Sequence, residues 1–166
     1  MYIYRSDKID NMKYLLTASL FLMIAQGVSA QTTDTAALAR NRAYAGAEAS
    51  KKHYRAIYQL DNNDPKIIEK AIRNINNALN DPRLKDKVEI EVVTFAGGTD
   101  AVLKGSKYED ALRDLVLKGV IVAQCNNSMR ERKLSRDQIY DFVAVVPSGN
   151  GELIIRQGEG WGIVKP

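Results

Sequence analysis

From Tyr54 onward, short apolar segments alternate with amphipathic segments of helical period, and this alternation limits the possible folds more than any other feature. The apolar segments that predict strands are residues 54–60, 88–95, 120–123, 142–146 and 161–164. Strands separated by helices of about 10–15 residues are typical of right-handed βαβ crossovers. The sequence therefore predicts an α/β fold, a three-layer α/β/α sandwich around a mostly parallel sheet of about five strands.

Capping signals predict where the helices begin. Asp64 followed by Pro65 is typical of an N-cap with proline in the first turn, and Ser106 with Glu109 has the spacing of a capping box. Three possible N-caps, Asn126, Asn127 and Ser128, follow directly after Cys125, and a short helical turn is expected over residues 100–104. Residues 150–158 remain ambiguous, because glycines at 149 and 151 disfavour a helix and the apolar run 153–155 fits a strand.

The first thirty residues have the pattern of a secretory signal peptide. A basic start at Met12-Lys13 precedes an apolar run over 15–25 and a small-residue site ending at Ala30. We expect cleavage after Ala30 and a periplasmic location with no stable membrane anchor, since the run falls short of the roughly 18 apolar residues of a span. A retained anchor is the alternative. Residues 1–11 precede the basic start, so Met12 is a second possible initiator.

The remaining chain divides into a tether and one domain. Residues 31–52 are rich in alanine, threonine and basic residues, which predicts a flexible or partly helical tether, and residues 53–166 form the predicted domain. The formal net charge is only +4, and the basic cluster around Arg130 contains no aromatic side chains. A solvated helix face explains that cluster better than a nucleic-acid interface does, so we expect no nucleic-acid partner.

Cys125 is the only cysteine, and the pattern places it where a buried strand ends and a helix begins. In open α/β sheets, ligands bind outside the carboxyl ends of the strands. A cysteine there is either a small buried hydrophobic residue or a thiol activated by the helix N-terminus. The other candidate site residues expected at this edge are Asn62, Gly97, Gly98, Asn126, Asn127, Arg130, Ser148 and Gly149.

The sequence argues against several catalytic classes. His53 is the only histidine, and it precedes the first strand whereas Cys125 ends another. In a parallel sheet the two residues lie at opposite edges, roughly 20 Å apart, which argues against a Cys-His dyad within one chain. No glycine-rich phosphate loop and no cluster with metal-ligand spacing is present. We therefore expect neither a metal nor an organic cofactor.

Several segments resemble the exported members of the DsrE/DsrF-like family. These are residues 54–60 and 88–93, the cysteine segment from Gly119 to Leu134, the stretch 145–149, and Gly160-Trp161. The resemblance covers about residues 54–166. It implies a parallel α/β/α fold, a helix over 150–158, and assembly into homotrimers or homohexamers. The chain departs from the family at Asn126, where many relatives carry glycine.

The resemblance also implies a function for the thiol. In the sulfur-relay members a cysteine carries sulfur as a persulfide, and Cys125 is the matching position. We therefore predict a sulfur-relay-type carrier, at most sulfurtransferase-like, which works with sulfur donor and acceptor proteins. The alternative is an oligomeric module that binds a small ligand and holds an inert, buried cysteine. A thiol used for intermolecular disulfides is a third interpretation.

Overall fold

Five parallel strands form a single sheet in the computed structural model of the chain, which describes residues 33–166. The spatial order is β4-β3-β2-β1-β5, and each neighbouring pair is parallel. The α/β prediction is thereby confirmed. The strands are β1 (Tyr54–Leu60), β2 (Val88–Thr94), β3 (Ile121–Cys125), β4 (Ala144–Val146) and β5 (Gly162–Val164).

Helices connect the strands and form the outer layers. Residues 33–43 are helical (α1) and belong to a unit that ends at Ala47, whereas Glu48–Pro166 is a second compact unit that contains the sheet. The helices of the second unit are α2 (Pro65–Asn80), α3 (Glu109–Leu117), α4 (Asn126–Glu131) and α5 (Gly149–Gly158), with 3₁₀ helices at Ala96–Val102 and Arg136–Gln138.

The capping prediction is confirmed at α2 and is wrong at α3. The Asp64 side chain accepts a hydrogen bond from the Lys66 N–H at 2.8 Å, so α2 begins as expected. At α3 the N-cap residue is Tyr108, which makes no side-chain capping hydrogen bond, and the Ser106 hydroxyl oxygen accepts from the Tyr108 N–H at 3.3 Å instead of from the first turn of the helix. The ambiguous segment 150–158 is helical, as the family resemblance implied.

The two faces of the sheet pack against different helices. On the first face, alternate strand residues such as Tyr58, Ile90 and Val122 pack with the buried stripes of α2 and α3. On the second face, Ile57 and Val93 pack with Leu153 of α5 and with Trp161. Because strand side chains alternate between faces, each strand contributes to both cores. The arrangement is the three-layer sandwich.

The predicted signal peptide, residues 1–30, lies outside the described residues. Within residues 33–166, no helix has both the length and the apolar character of a membrane span.

Candidate functional site

At the carboxyl ends of β3 and β4 the chain leaves two neighbouring strands toward opposite faces of the sheet. β3 continues into α4, whose Met129 belongs to the first-face core, and β4 continues into α5, whose Leu153 belongs to the second-face core. Such divergence opens the position where α/β sheets bind ligands. Cys125 is the last residue of β3 and pairs with Val146 of β4.

Cys125 lies beside the N-termini of two helices. It is the N-cap residue of α4, and Gly149, the first residue of α5, lies against the adjacent Phe95 ring. The first N–H groups of a helix have no intrahelical acceptor and carry the positive end of the helix dipole. The starts of both helices therefore lie at the strand end that carries the thiol. The residue is nevertheless only 4% exposed.

The surroundings of Cys125 favour the thiolate overall. Burial, the largest single influence, raises the pKa of the thiol, but the backbone N–H groups of Ser128, Gly149 and Asn127 and the Ser128 hydroxyl together lower it further. The net pKa lies below the ordinary value. The thiol makes no capping hydrogen bond of standard geometry to α4, so these N–H groups act as nearby, loosely aligned donors that can tighten when charge develops on the sulfur.

The orientation of the Ser128 hydroxyl is set by a neighbouring backbone group. The Ala96 N–H donates to the Ser128 hydroxyl oxygen at 2.9 Å. Because that oxygen already accepts from Ala96, the hydroxyl proton is available for the sulfur. Ala96 itself has a left-handed backbone with φ of 47°, and its carbonyl accepts from Arg132 at 3.3 Å. The orientation of the Ser128 hydroxyl thus depends on Ala96, whose backbone is strained and whose N–H and carbonyl are both hydrogen-bonded.

A buried hydrogen-bond network lies next to the thiol on the opposite face of β3. The fully buried Gln124 amide accepts from the Thr94 hydroxyl at 2.6 Å and donates to the Thr99 hydroxyl at 3.1 Å. The amide also donates to the carbonyl of Cys125 at 2.9 Å. Since unpaired polar groups are costly to bury, this network fixes the 3₁₀ helix after β2 to the end of β3.

Several of the predicted site residues have structural roles at the same edge. The Asn62 side chain accepts from the Asp64 N–H at 2.7 Å, and the Ser148 hydroxyl accepts from the Gly151 N–H at 3.1 Å, so both serve helix starts. A Cβ at Gly98 would lie 1.9 Å from the Leu60 carbonyl oxygen. These contacts explain why asparagine, serine and glycine occupy these positions. Contacts of these residues with a ligand stay a prediction.

The remaining predicted residues lie on α4, in the 3₁₀ helix after β2 and at the start of α5. Asn126, Asn127 and Arg130 are exposed on α4. A Cβ at Gly97 would lie 3.0 Å from the Asn63 backbone nitrogen, so this glycine permits close approach of two loops. Outside the β3–α4 segment, Gly149 is a predicted residue whose backbone N–H lowers the pKa of the thiol.

His53 lies at the opposite edge of the sheet from Cys125. The strand registers place Gln124 level with Thr94, and Thr94 level with Leu60. His53 precedes β1, so about 26 Å of strand separates it from the level of the thiol. The geometry agrees with the exclusion of a Cys-His dyad.

A cleft lies away from the thiol, near the residues that precede β4. Its volume is about 560 Å³, and Lys104, Glu109, Arg113, Tyr140, Asp141 and Phe142 line it. Within residues 33–166, no three histidine, cysteine or acidic side chains converge as metal ligands.

The fold and the site define a class of protein, a parallel α/β/α domain with a thiol at a strand end between two helix N-termini. Residues 53–166 match the DsrE/DsrF-like family, and the chain belongs to that family. No curated protein matches the chain.

Solved structures show the same fold. The chain is 31% identical to MTH1491 from Methanobacterium thermoautotrophicum, with a TM-score of 0.65 over 68% of this chain and 99% of that one. The ychN protein from E. coli is 15% identical, with a TM-score of 0.55 over 69% and 99% of the two chains. BT1422 from Bacteroides thetaiotaomicron is 11% identical, with a TM-score of 0.56 over 73% and 100%.

Sequence reasoning missed two parts of the site. It treated Ser128 as one of several possible N-caps, whereas Cys125 is the cap and Ser128 lies in the first turn with its hydroxyl beside the thiol. It also passed over Gln124, although a glutamine inside an otherwise apolar strand indicates a buried polar network.

Proposed function

We propose that Cys125 works as a thiolate nucleophile that carries sulfane sulfur as a persulfide. The observation that carries this proposal is the set of N–H donors from α4 and α5, together with the Ser128 hydroxyl, around a single thiol of lowered pKa. A thiolate is the nucleophilic form of cysteine, and an electropositive setting raises its fraction near neutral pH.

The chemistry consists of two thiolate displacements that need no external oxidant or reductant. The Cys125 thiolate attacks the terminal sulfur of a donor persulfide, forms a new S–S bond and releases the donor thiolate. An acceptor thiolate then attacks the outer sulfur of the Cys125 persulfide and regenerates the Cys125 thiolate. The same donors that stabilise the thiolate stabilise Cys125 as the leaving group in the second step.

Family membership supports the same function. The DsrE/DsrF-like match spans the whole sheet-containing domain, and this fold is related to sulfur relay. The absence of a second cysteine from the sequence means that a loaded Cys125 has no resolving thiol within its own chain. Removal of the sulfur by a thiol therefore requires a thiol from another molecule.

Mass spectrometry of intact protein tests the proposal. The wild-type protein, incubated with polysulfide or with thiosulfate plus a donor sulfurtransferase, is expected to gain the mass of sulfur atoms that a reductant then removes. Cys125→Ser is expected to gain none. Equal behaviour of the two proteins would overturn the proposal.

Burial of the thiol supports a second candidate function. Cys125 is 4% exposed, which also suits an inert cysteine in an oligomeric module that binds a small ligand at the strand ends. An alkylating reagent separates the two functions. A carrier thiol is expected to react in the native protein, whereas an inert cysteine reacts only after unfolding.

Exposed apolar side chains support assembly into a homo-oligomer. On α5, Ile154 is 70% and Ile155 is 58% exposed, and the edge strands expose Val145 and Ile163. We propose that copies of the chain associate through these surfaces as trimers or hexamers, which light scattering of the wild type and of Ile154→Glu tests. A monomeric wild type would refute the assembly.

The export of the protein stays a proposal, tested by N-terminal sequencing of periplasmic material.

A further inference from the structure

Gln124 is a fully buried polar residue in a strand that is otherwise apolar up to the thiol. The strand reads Ile-Val-Ala-Gln-Cys, and Gln124 is 0% exposed. Burying an amide costs free energy unless its polar atoms are hydrogen-bonded. An apolar side chain of similar size would fill the same space without that cost. Packing alone therefore does not explain a glutamine next to the thiol.

The amide of Gln124 joins three segments of the chain. Its Oε1 accepts from the Thr94 hydroxyl at the end of β2 at 2.6 Å, and its Nε2 donates to the Thr99 hydroxyl in the 3₁₀ helix at 3.1 Å. The third bond runs from Nε2 to the carbonyl of Cys125 at 2.9 Å. A reversed amide would place its oxygen against that carbonyl oxygen, and neither atom can donate. The Cys125 carbonyl therefore determines the orientation of the amide.

The Cys125 carbonyl belongs to the peptide unit that leads from β3 into α4. Because a peptide unit is planar, a restrained carbonyl also restrains the N–H of Asn126, the first residue of α4. Cys125 itself is still extended, with ψ of 121°, so the chain changes from strand to helix at this peptide unit. The bond from Gln124 thus holds the turn between the residue that carries the thiol and the helix that follows it.

The start of α4 lacks the usual side-chain cap. The helix has only six residues, and its N-cap residue, Cys125, makes no side-chain capping hydrogen bond. Helices this short are not stable by themselves, because nucleation of a helix is costly. Two contacts from outside the helix act at its start: the Ala96 N–H donates to the Ser128 hydroxyl at 2.9 Å, and Gln124 donates to the Cys125 carbonyl. The second contact acts on the residue that carries the thiol.

We propose that Gln124 is a positioning residue for Cys125: its buried amide holds the Cys125 carbonyl and so fixes the turn that places the thiol at the start of α4. This inference rests on the proposed function only in that the thiol it positions is the one proposed to carry sulfur. Thr94 and Thr99 hold the amide in turn, which connects the turn to β2 and to the 3₁₀ helix. A nucleophile held in one geometry reacts without a prior rearrangement.

The variant Gln124→Met removes the amide and keeps a side chain of similar length. The Thr94 hydroxyl can still donate to the Ala123 carbonyl, which lies 3.1 Å away, so we expect a folded protein. The readout is the pH midpoint of alkylation of Cys125. N–H groups at a helix start favour a thiolate, so release of the turn is expected to raise the midpoint. At pH values below both midpoints the alkylation rate is expected to be roughly tenfold lower.

Thr99→Val is the matched control, because it removes the other acceptor of the same Nε2 atom and leaves the bond to the Cys125 carbonyl in place. Thr99 is as fully buried as Gln124. Both variants are expected to lower the urea midpoint of unfolding, but only Gln124→Met is expected to raise the alkylation midpoint. A wild-type alkylation midpoint in Gln124→Met, or an equal rise in both variants, would overturn the inference.

A second measurement uses the wild type and so does not depend on the folding of a variant. In NMR spectra the side-chain amide protons of Gln124 are expected to exchange with solvent far more slowly than those of Gln157, which is exposed. Equal exchange at the two side chains would overturn the inference. Sulfur loading is scored separately: a wild type that loads no sulfur refutes the proposed function, while the alkylation midpoints still decide the positioning role.

Discussion

Replacing Ser128 by alanine removes the side-chain donor at the thiol and tests how the pKa of Cys125 is lowered. In the structure the Ala96 N–H donates to the Ser128 hydroxyl oxygen at 2.9 Å. The Ser128 hydroxyl in turn lowers the pKa of the Cys125 thiol. Ser128→Ala deletes both interactions while leaving the backbone N–H groups of α4 and α5 in place. The effect on the thiol and the effect on stability are therefore separate consequences of one change.

The expected magnitudes follow from the two interactions lost. A hydrogen bond to a charged group contributes about 1.5–3 kcal/mol, which corresponds to an increase of about 1–2 units in the pKa of the Cys125 thiol. The Ala96 N–H also loses its acceptor. If the group stays buried, the free energy of unfolding falls by about 1–3 kcal/mol.

The pH dependence of alkylation gives the thiol pKa, and urea denaturation gives the free energy of unfolding. Ser106→Ala is the matched control, because the Ser106 hydroxyl also makes partly buried contacts, to the Ala101 carbonyl and the Tyr140 hydroxyl, each at 2.9 Å. The control is expected to lose stability with no change in the thiol pKa. An unchanged thiol pKa in Ser128→Ala would refute the assigned role of the hydroxyl.

Three further experiments test the close packing at Gly98, the start of α5 and the lowered pKa of the thiol. Gly98→Ala places a Cβ 1.9 Å from a backbone oxygen of β1 and is expected to lower the free energy of unfolding by about 3 kcal/mol or more. Gly158→Ala is the control, because the space around Gly158 is open, and it is expected to cause no loss. Equal urea midpoints for the two variants would contradict this expectation. Gly149→Ala, whose Cβ would lie 2.8 Å from Phe95, is expected to displace the start of α5 and raise the alkylation midpoint of Cys125; a wild-type midpoint would argue against this donor. Because folding lowers the pKa of Cys125, the thiolate's contribution to stability is complete above the ordinary thiol pKa and is lost as pH falls through the folded-state pKa. Relative to Cys125→Ser, the wild type is therefore expected to gain stability as pH rises through this window, and a loss would contradict the lowered pKa.

The strands could be predicted wherever local pattern and tertiary packing agree. β1 has the predicted bounds, Tyr54–Leu60, because its apolar run is bounded by polar residues and pairs along its length with β2. β4 is shorter than the predicted 142–146, since the Phe142 ring stacks on Tyr140 at 5.3 Å and Val143 closes a turn back to Tyr140. The pattern of apolar residues does not distinguish a stacked turn from an extended strand.

The location of the candidate site could be predicted from the sequence, but the side-chain contacts around it could not. Because parallel strands bring their carboxyl ends together, Cys125 and Gly149 are expected at one edge of the sheet, and in the structure they lie at and just beyond the paired ends of β3 and β4. The Ser128 hydroxyl contact depends on the left-handed backbone of Ala96, which no local pattern indicates. The hydrogen bond from Gln124 to Thr99 joins residues 25 positions apart, and only the assembled sheet brings them together.

A transfer experiment with labelled sulfur decides whether Cys125 accepts sulfur and passes it on. Protein loaded with isotopically labelled sulfane sulfur and freed of donor is mixed with a small acceptor thiol, and both products are followed by mass spectrometry. We predict that the label leaves the protein in step with its appearance on the acceptor, and that Cys125→Ser acquires no label. Label that binds equally to Cys125→Ser, or that stays on the wild type in excess acceptor, would contradict the account.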